Sequence, residues 1–98
     1  MSEWTFLTNH AHVLLCITED PNARLRDLAE RVEISERAVK RIVSDLEHTG
    51  YITRKRFGRR NRYEVHMETP ITTPVTRTLE VGALLSLLVP AIAMAALN

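Results

Sequence analysis

The run from Leu25 to Gly50, LRDLAERVEISERAVKRIVSDLEHTG, constrains this chain more than any other. Leu25, Leu28, Ala29 and Val32 recur at three, four and seven residues from the first, the spacing of one apolar helix face. Arg26, Asp27, Glu30 and Arg31 fall outside it. A second stripe follows at Val39, Ile42, Val43 and Leu46, bordered by Ala38. Between them Ser35 is suited to cap a helix start, and Gly50 to end one. The spacing predicts helices of about eight and thirteen residues joined by a turn of about three. Upstream, Thr8 is suited to cap a further helix, with Val13, Leu14 and Ile17 on one face and Ala11 and Cys16 nearby. Pro21, in the EDPN stretch, stops that helix because proline offers no amide to the ladder.

After Gly50 the apolar period changes from 3.6 to 2. YITRKRF and RYEVH flank GRRN, whose Gly58 and Asn61 suit the turn of a two-stranded hairpin. The ten residues from Arg54 to Tyr63 carry six basic side chains and no acid. Residues 51–66 hold a charge of +5, whereas the whole chain is only +1. The positive charge is therefore concentrated on one short element, and that governs partners more than the total does.

A helix, a helix-turn-helix and then a basic hairpin is the order of a winged helix-turn-helix. LRDLAERVEISERAVKRIVSDLEHTGYITRKRFGRRNRYEV resembles the small bacterial and archaeal transcription regulators of the MarR/ArsR type, over about residues 8–66. Many members carry glycine in the tight turn where this chain has Glu33. The resemblance implies a mainly α fold with a small β-hairpin (α+β), a winged helix-turn-helix plus a C-terminal apolar helix.

It also implies double-stranded DNA as partner and a cytoplasmic setting. In such motifs the second helix of the pair enters the major groove. Glu36, Arg37, Lys40, Arg41 and Ser44 lie on the solvent side of helix 36–48 and are the candidates for base reading, with Arg37 and Arg41 suited to guanine. Ser35 with the helix N-terminus is a candidate phosphate ligand. Arg54, Arg56, Arg59, Arg60, Asn61 and Arg62, in wing 54–62, are candidates for phosphates or an adjacent minor groove. Tyr51, Ile52, Phe57, Tyr63 and Val65 are expected to pack rather than to stack on bases.

Other chemistries find little support. Cys16 is the lone cysteine, so no internal disulfide is available. His12 and Cys16 are four apart on a helix, a chelating spacing. Cys16 falls on the apolar face, however, and CxxC and HExxH are both missing, so no metal and no cofactor are expected. There is no GxxxxGK loop and no nucleophile–base–orienter set, and the chain is not expected to be an enzyme. MSEWTFLTN lacks the basic segment and apolar run of a secretory signal. No effector site is legible.

The expected organisation is a DNA-binding domain at 1–66, an extended connector with two prolines at 67–75, and a C-terminal apolar helix at 76–98. Val81 to Asn98 carries no charge. Val81, Leu85, Leu88, Ile92 and Ala95 follow a heptad seam, and Leu84, Leu87, Ala91 and Met94 form a second beside it. A helix apolar on both sides must be covered on both. The expected solution is a homodimer, with Val81, Leu84, Leu85, Leu88 and Ile92 at the interface and Pro90 breaking or kinking the helix. The alternative is a tail-anchored membrane protein or a protein-interaction module, since a spanning helix needs roughly 17–25 apolar residues.

Overall fold

The fold is taken from a computed structural model that describes residues 4–71, 73–75 and 79–89. Helices α1 (Asn9–Glu19), α2 (Leu25–Val32) and α3 (Glu36–His48) precede an antiparallel hairpin, β1 (Ile52–Phe57) and β2 (Arg60–Val65), and helix α4 (Val81–Leu88) follows. This is the winged α+β arrangement expected from the apolar periodicities.

Local chemistry sets the boundaries. Thr8 Oγ1 accepts from the Ala11 amide at 3.2 Å, and Ser35 Oγ accepts from the Ala38 amide at 3.1 Å. Each hydroxyl satisfies one of the amides that a helix start leaves without a partner. At the start of α2 it is Asp27 that reaches back, accepting from the Arg24 amide at 3.3 Å. Helix α2 ends on Glu33 at φ 62°, ψ 44°, the left-handed conformation that a glycine ordinarily takes. An L-residue there costs about 1–2 kcal/mol. Glu33→Gly removes that strain but adds unfolded-state freedom worth about 0.5–1 kcal/mol. The net expectation is a gain of about 0.5–1 kcal/mol, read as a thermal midpoint raised by roughly 2–8 °C. A lowered midpoint would show that the Glu33 side chain contributes more than its backbone strain removes.

The core joins every element. Val13, Leu14, Cys16 and Ile17 of α1 meet Leu28 and Ala29 of α2, Val39, Ile42, Val43 and Leu46 of α3, Ile52 and Tyr63 of the hairpin, and Val81 and Leu85 of α4. Removal of these side chains from water, at about 25 cal/mol per Å², is the main force holding the layers together. Helix α4 packs against α1. Gly82 lets the start of α4 lie close to Met67: its amide donates to Met67 O at 2.8 Å, and a Cβ there would lie 2.9 Å from that same oxygen.

Residues 67–71, within the expected connector at 67–75, are bonded to neighbouring elements. The Ile71 amide donates to Leu79 O at 2.7 Å and the Val81 amide to Thr69 O at 2.8 Å, closing a bridge between Pro70 and Glu80. Tyr51 Oη donates to Pro70 O at 3.0 Å, and Thr69 Oγ1 to Gly50 O at 2.8 Å. The segment is thus stitched to the base of the hairpin. A tether would leave these groups in water.

The tail packs on α1 and also keeps an outward apolar side. Val81 and Leu85, both placed on the dimer seam by the heptad reading, are buried inside this chain, Leu85 at 1% exposure. Leu84 is half-buried, while Leu88 and Leu87 face outward at 45% and 83% exposure. Helix α4 stops at Leu88, and Val89, which precedes Pro90 in sequence, is extended at φ −119°. Ile92 and the rest of the expected helix beyond Val89 lie outside the described residues. Among the described residues no helix is long and apolar enough to cross a membrane. Trp4 and Phe6 form an edge-to-face pair, with centroids 5.1 Å apart, and both are exposed.

Candidate nucleic-acid interface

Helix α3 buries Val39, Ile42, Val43 and Leu46, and successive residues turn by about 100°. That leaves Arg37, Ser44 and His48 along the outer crest. Glu36, Lys40 and Glu47 lie on one flank, and Arg41 and Asp45 on the other. Every residue expected to read bases, Glu36, Arg37, Lys40, Arg41 and Ser44, is exposed. Arg37 and Arg41 line a groove of about 700 Å³ between α3 and the start of α1. Ser35 lies in the same groove, as does His10, whose Nε2 is 2.8 Å from Asp45 Oδ2. That contact ties α1 to the middle of α3 and fixes the helix on its support.

The hairpin turns more tightly than GRRN suggested. Phe57 pairs with Arg60, so the loop is Gly58-Arg59 alone, and Arg60 and Asn61 belong to β2. Gly58 sits at φ 61°. A positive φ at only the first of two central residues is the II′ arrangement, which matches strand twist and takes glycine at that place. The register puts Ile52, Arg54, Arg56, Asn61, Tyr63 and Val65 on one face, with Ile52 and Tyr63 buried. Thr53, Lys55, Phe57, Arg60, Arg62 and Glu64 form the opposite face. The Tyr63 amide donates to Pro21 O at 2.9 Å, and Arg60 Nη2 donates to Asn22 O at 2.8 Å. The wing is therefore braced against the turn between α1 and α2.

Not all six basic wing residues are equal. Arg54 Nη2 lies 3.3 Å from Glu47 Oε1, and Lys55 Nζ lies 3.0 Å from Glu64 Oε2. Lys55 beside it holds the Glu64 carboxyl below its ordinary value, first through the hydrogen bond and then through charge. Exposed pairs of this kind are worth about 0–1 kcal/mol, so they partly offset two cations without removing them from the surface. Arg56 Nε donates to Gly58 O at 3.1 Å. Arg56, Arg59, Arg60 and Arg62 make no ion pair with a described carboxylate. Lys55 also stands directly opposite Arg62, a cross-strand pairing of like charges that weakens an isolated hairpin.

The wing tip and the helix pair meet at a cleft of about 490 Å³. It is lined by Arg59, Arg60 and Asn61 of the wing, Arg24 and Arg26 at the start of α2, and Glu36 at the start of α3. Arg24 and Arg26 did not emerge as interface residues from sequence periodicity, which assigned Arg26 only to a solvated face. The available signal was their position. Arg24 at the N-cap and Arg26 in the first turn face the positive end of the α2 dipole, with Asp27 in the same turn opposing them. An unfavourable placement of about 0.3–1 kcal/mol per cation is one that an anion would reverse. Within the described residues the cleft holds one acid, Glu36, among four guanidinium side chains.

Buried chemistry is sparse. Burial pushes the Cys16 thiol up, with Arg31 opposing and Glu19 adding to the effect. Among the described residues no cluster of three or more His, Cys, Asp or Glu side chains is arranged to hold a metal ion.

The sequence matches no curated protein. Residues 8–53, from the cap of α1 to the beginning of β1, match the family model described as winged helix-turn-helix DNA-binding. The stretch that holds the three helices and opens the wing therefore has the winged helix-turn-helix fold and is similar to domains of the DNA-binding kind.

Proposed function

We propose that this chain is a sequence-specific transcription regulator, binding double-stranded DNA as a homodimer in the cytoplasm and similar to the MarR/ArsR type. The observation that carries the reading is the convergence of guanidinium groups from the wing tip and the start of α2 on one cleft beside α3. Helix α3 enters the major groove, with Arg37 and Arg41 reading guanine edges and Lys40, Glu36 and Ser44 completing the contact. Ser35, Arg24 and Arg26 hold phosphates at the two helix starts. Arg54, Arg56, Arg59, Arg60, Asn61 and Arg62 follow the backbone or the adjacent minor groove. The role is one of binding, without catalysis.

The test is selection of bound duplexes from a random pool at low salt, followed by electrophoretic titration of the winner. Absence of any DNA affinity at low salt would end the reading. Each phosphate contact contributes about −0.9 to the log–log salt slope. Arg59→Ala with Arg62→Ala should therefore flatten the slope by about 2 while weakening selected and random duplexes alike. Neither side chain makes an ion pair with a described residue, and loss of Arg62 relieves its repulsion with Lys55, so stability should be unchanged or slightly raised. A slope identical to that of the parent would remove the wing from the interface.

Dimerisation is proposed through the outward side of α4, where Leu87 and Leu88 are exposed beside half-buried Leu84. Two-fold pairing gives two α3 helices to two half-sites. Light scattering that returned a monomer mass at micromolar concentration would exclude it.

A further inference from the structure

Phe57 is the hairpin aromatic that sequence expected to pack and that the fold leaves in water. It is 61% exposed, whereas Tyr63 is buried and Tyr51 is packed against the core. It occupies the last ladder position of β1, directly opposite Arg60, with only Gly58-Arg59 beyond it. Phe57 also lines a cleft of about 340 Å³ between the wing and Asn22 of the α1–α2 turn, with Arg60, Asn61 and Arg62. An exposed phenyl ring flanked by the guanidinium groups of Arg60 and Arg62 suits few partners. A second copy of the wing would bring like charges together, and an apolar protein surface would strip water from the arginines without pairing them. A polyanion that also offers apolar surface between its charges meets both demands.

We propose that Phe57 is a wedge that enters the minor groove at the wing tip and opens a base step there, while Arg59, Arg60 and Arg62 hold the flanking phosphates. This rests on the DNA-binding reading above and adds to it a residue and a mode of sequence choice. Apolar side chains that enter the minor groove unstack a step and kink the duplex. Pyrimidine–purine steps unstack most readily, so the wing selects TA or CA at its position through deformability rather than base-edge contacts.

The experiment uses the full chain and duplexes recovered by selection. One duplex carries 2-aminopurine at the step beneath the wing, and another carries a fluorophore pair at its ends. Binding should raise 2-aminopurine emission and shorten the end-to-end distance. Phe57→Ala should abolish both signals and weaken binding by about tenfold, on the scale of lost base–aromatic stacking. Phe57→Leu should retain much of each. Replacing TA by a stiffer AA step should weaken the parent and leave Phe57→Ala indifferent. Because the ring is exposed, unchanged circular dichroism melting is expected for both variants.

DNA binding without emission change or bending, and with Phe57→Ala equal to the parent, overturns the wedge and leaves the regulator reading standing. Sedimentation with vesicles of phosphatidylserine and phosphatidylcholine that Phe57→Ala abolishes, with DNA affinity intact, overturns it in favour of a lipid surface. Failure of the parent to bind any DNA overturns the reading beneath it.

Discussion

Arg37→Ala combined with Arg41→Ala should collapse the preference for the selected duplex by about 30- to 10⁴-fold while leaving binding to random DNA only modestly weaker. A bidentate arginine–guanine contact discriminates by about 1–3 kcal/mol, and well-separated contacts add, giving about 2–6 kcal/mol for the pair. A specific site is typically about 10³–10⁷ tighter than random DNA, so a loss of that size removes much or all of the margin. Both residues are exposed on α3, and neither makes an ion pair with a described side chain. The double variant should melt like the parent. The measurement is competition of a labelled selected duplex against an unlabelled random one at fixed salt. A uniform fall in affinity for both duplexes would reassign Arg37 and Arg41 to phosphate and move base reading elsewhere on α3. The contrast with Arg59 and Arg62, whose loss should be indifferent to sequence, makes the assignment decisive.

Periodicity carried the three helices because each burial stripe is long relative to its noise. Val39, Ile42, Val43 and Leu46 allow one rotation of α3 on the core, and that rotation turns Arg37 and Lys40 outward. The hydroxyl caps Thr8 and Ser35 were equally legible, since a cap depends on local sequence alone. What escaped was set by distant contacts. Arg24 and Arg26 reach the cleft because the turn after α1 is bonded to β2 through Pro21 O and Asn22 O, bringing the wing tip to the start of α2. No spacing within α2 encodes that proximity. The hairpin loop closed on Gly58-Arg59, so Asn61, a good turn residue, became a strand residue paired with Arg56. Phe57 was expected in the core because strand aromatics usually pack, but the alternation that buries Tyr63 sends Phe57 to the other face.

Helix α4 shows the deepest ambiguity. Its two apolar seams are related by a rotation of about 100°, and composition does not choose between them. Gly82 does. The close approach of its backbone to Met67 O turns Val81 and Leu85 toward α1 and leaves Leu87 outside. The one position of α4 without a Cβ thereby favours the seam this chain uses for itself.

That division yields the largest stability effect expected of any single substitution proposed. Leu85→Ala should lower stability by about 2–5 kcal/mol, through lost transfer energy and the cavity left behind. For a chain of this size about 1 kcal/mol moves the midpoint by roughly 4–8 °C, so the melting temperature should fall by about 8–40 °C. Since small domains hold only about 5–15 kcal/mol in total, a detectable unfolded fraction near physiological temperature is also expected. Leu87→Ala removes the same atoms from an exposed position and should change the stability of a monomer by less than about 0.5 kcal/mol. Its effect should instead appear as concentration dependence. A dimer that binds folded chains only gives a midpoint that rises with protein concentration, and Leu87→Ala should flatten that rise. Leu85→Ala should shift the whole curve down and keep its slope. If Leu85→Ala melted like the parent, α4 would be an appendage to the domain and its burial against α1 would be wrong. If the two variants exchanged behaviours, the seams would be reversed, with Leu85 facing a partner and Leu87 the core. Melting curves for the parent and both variants across a hundredfold range of concentration separate these outcomes, because internal packing is independent of concentration and association is not.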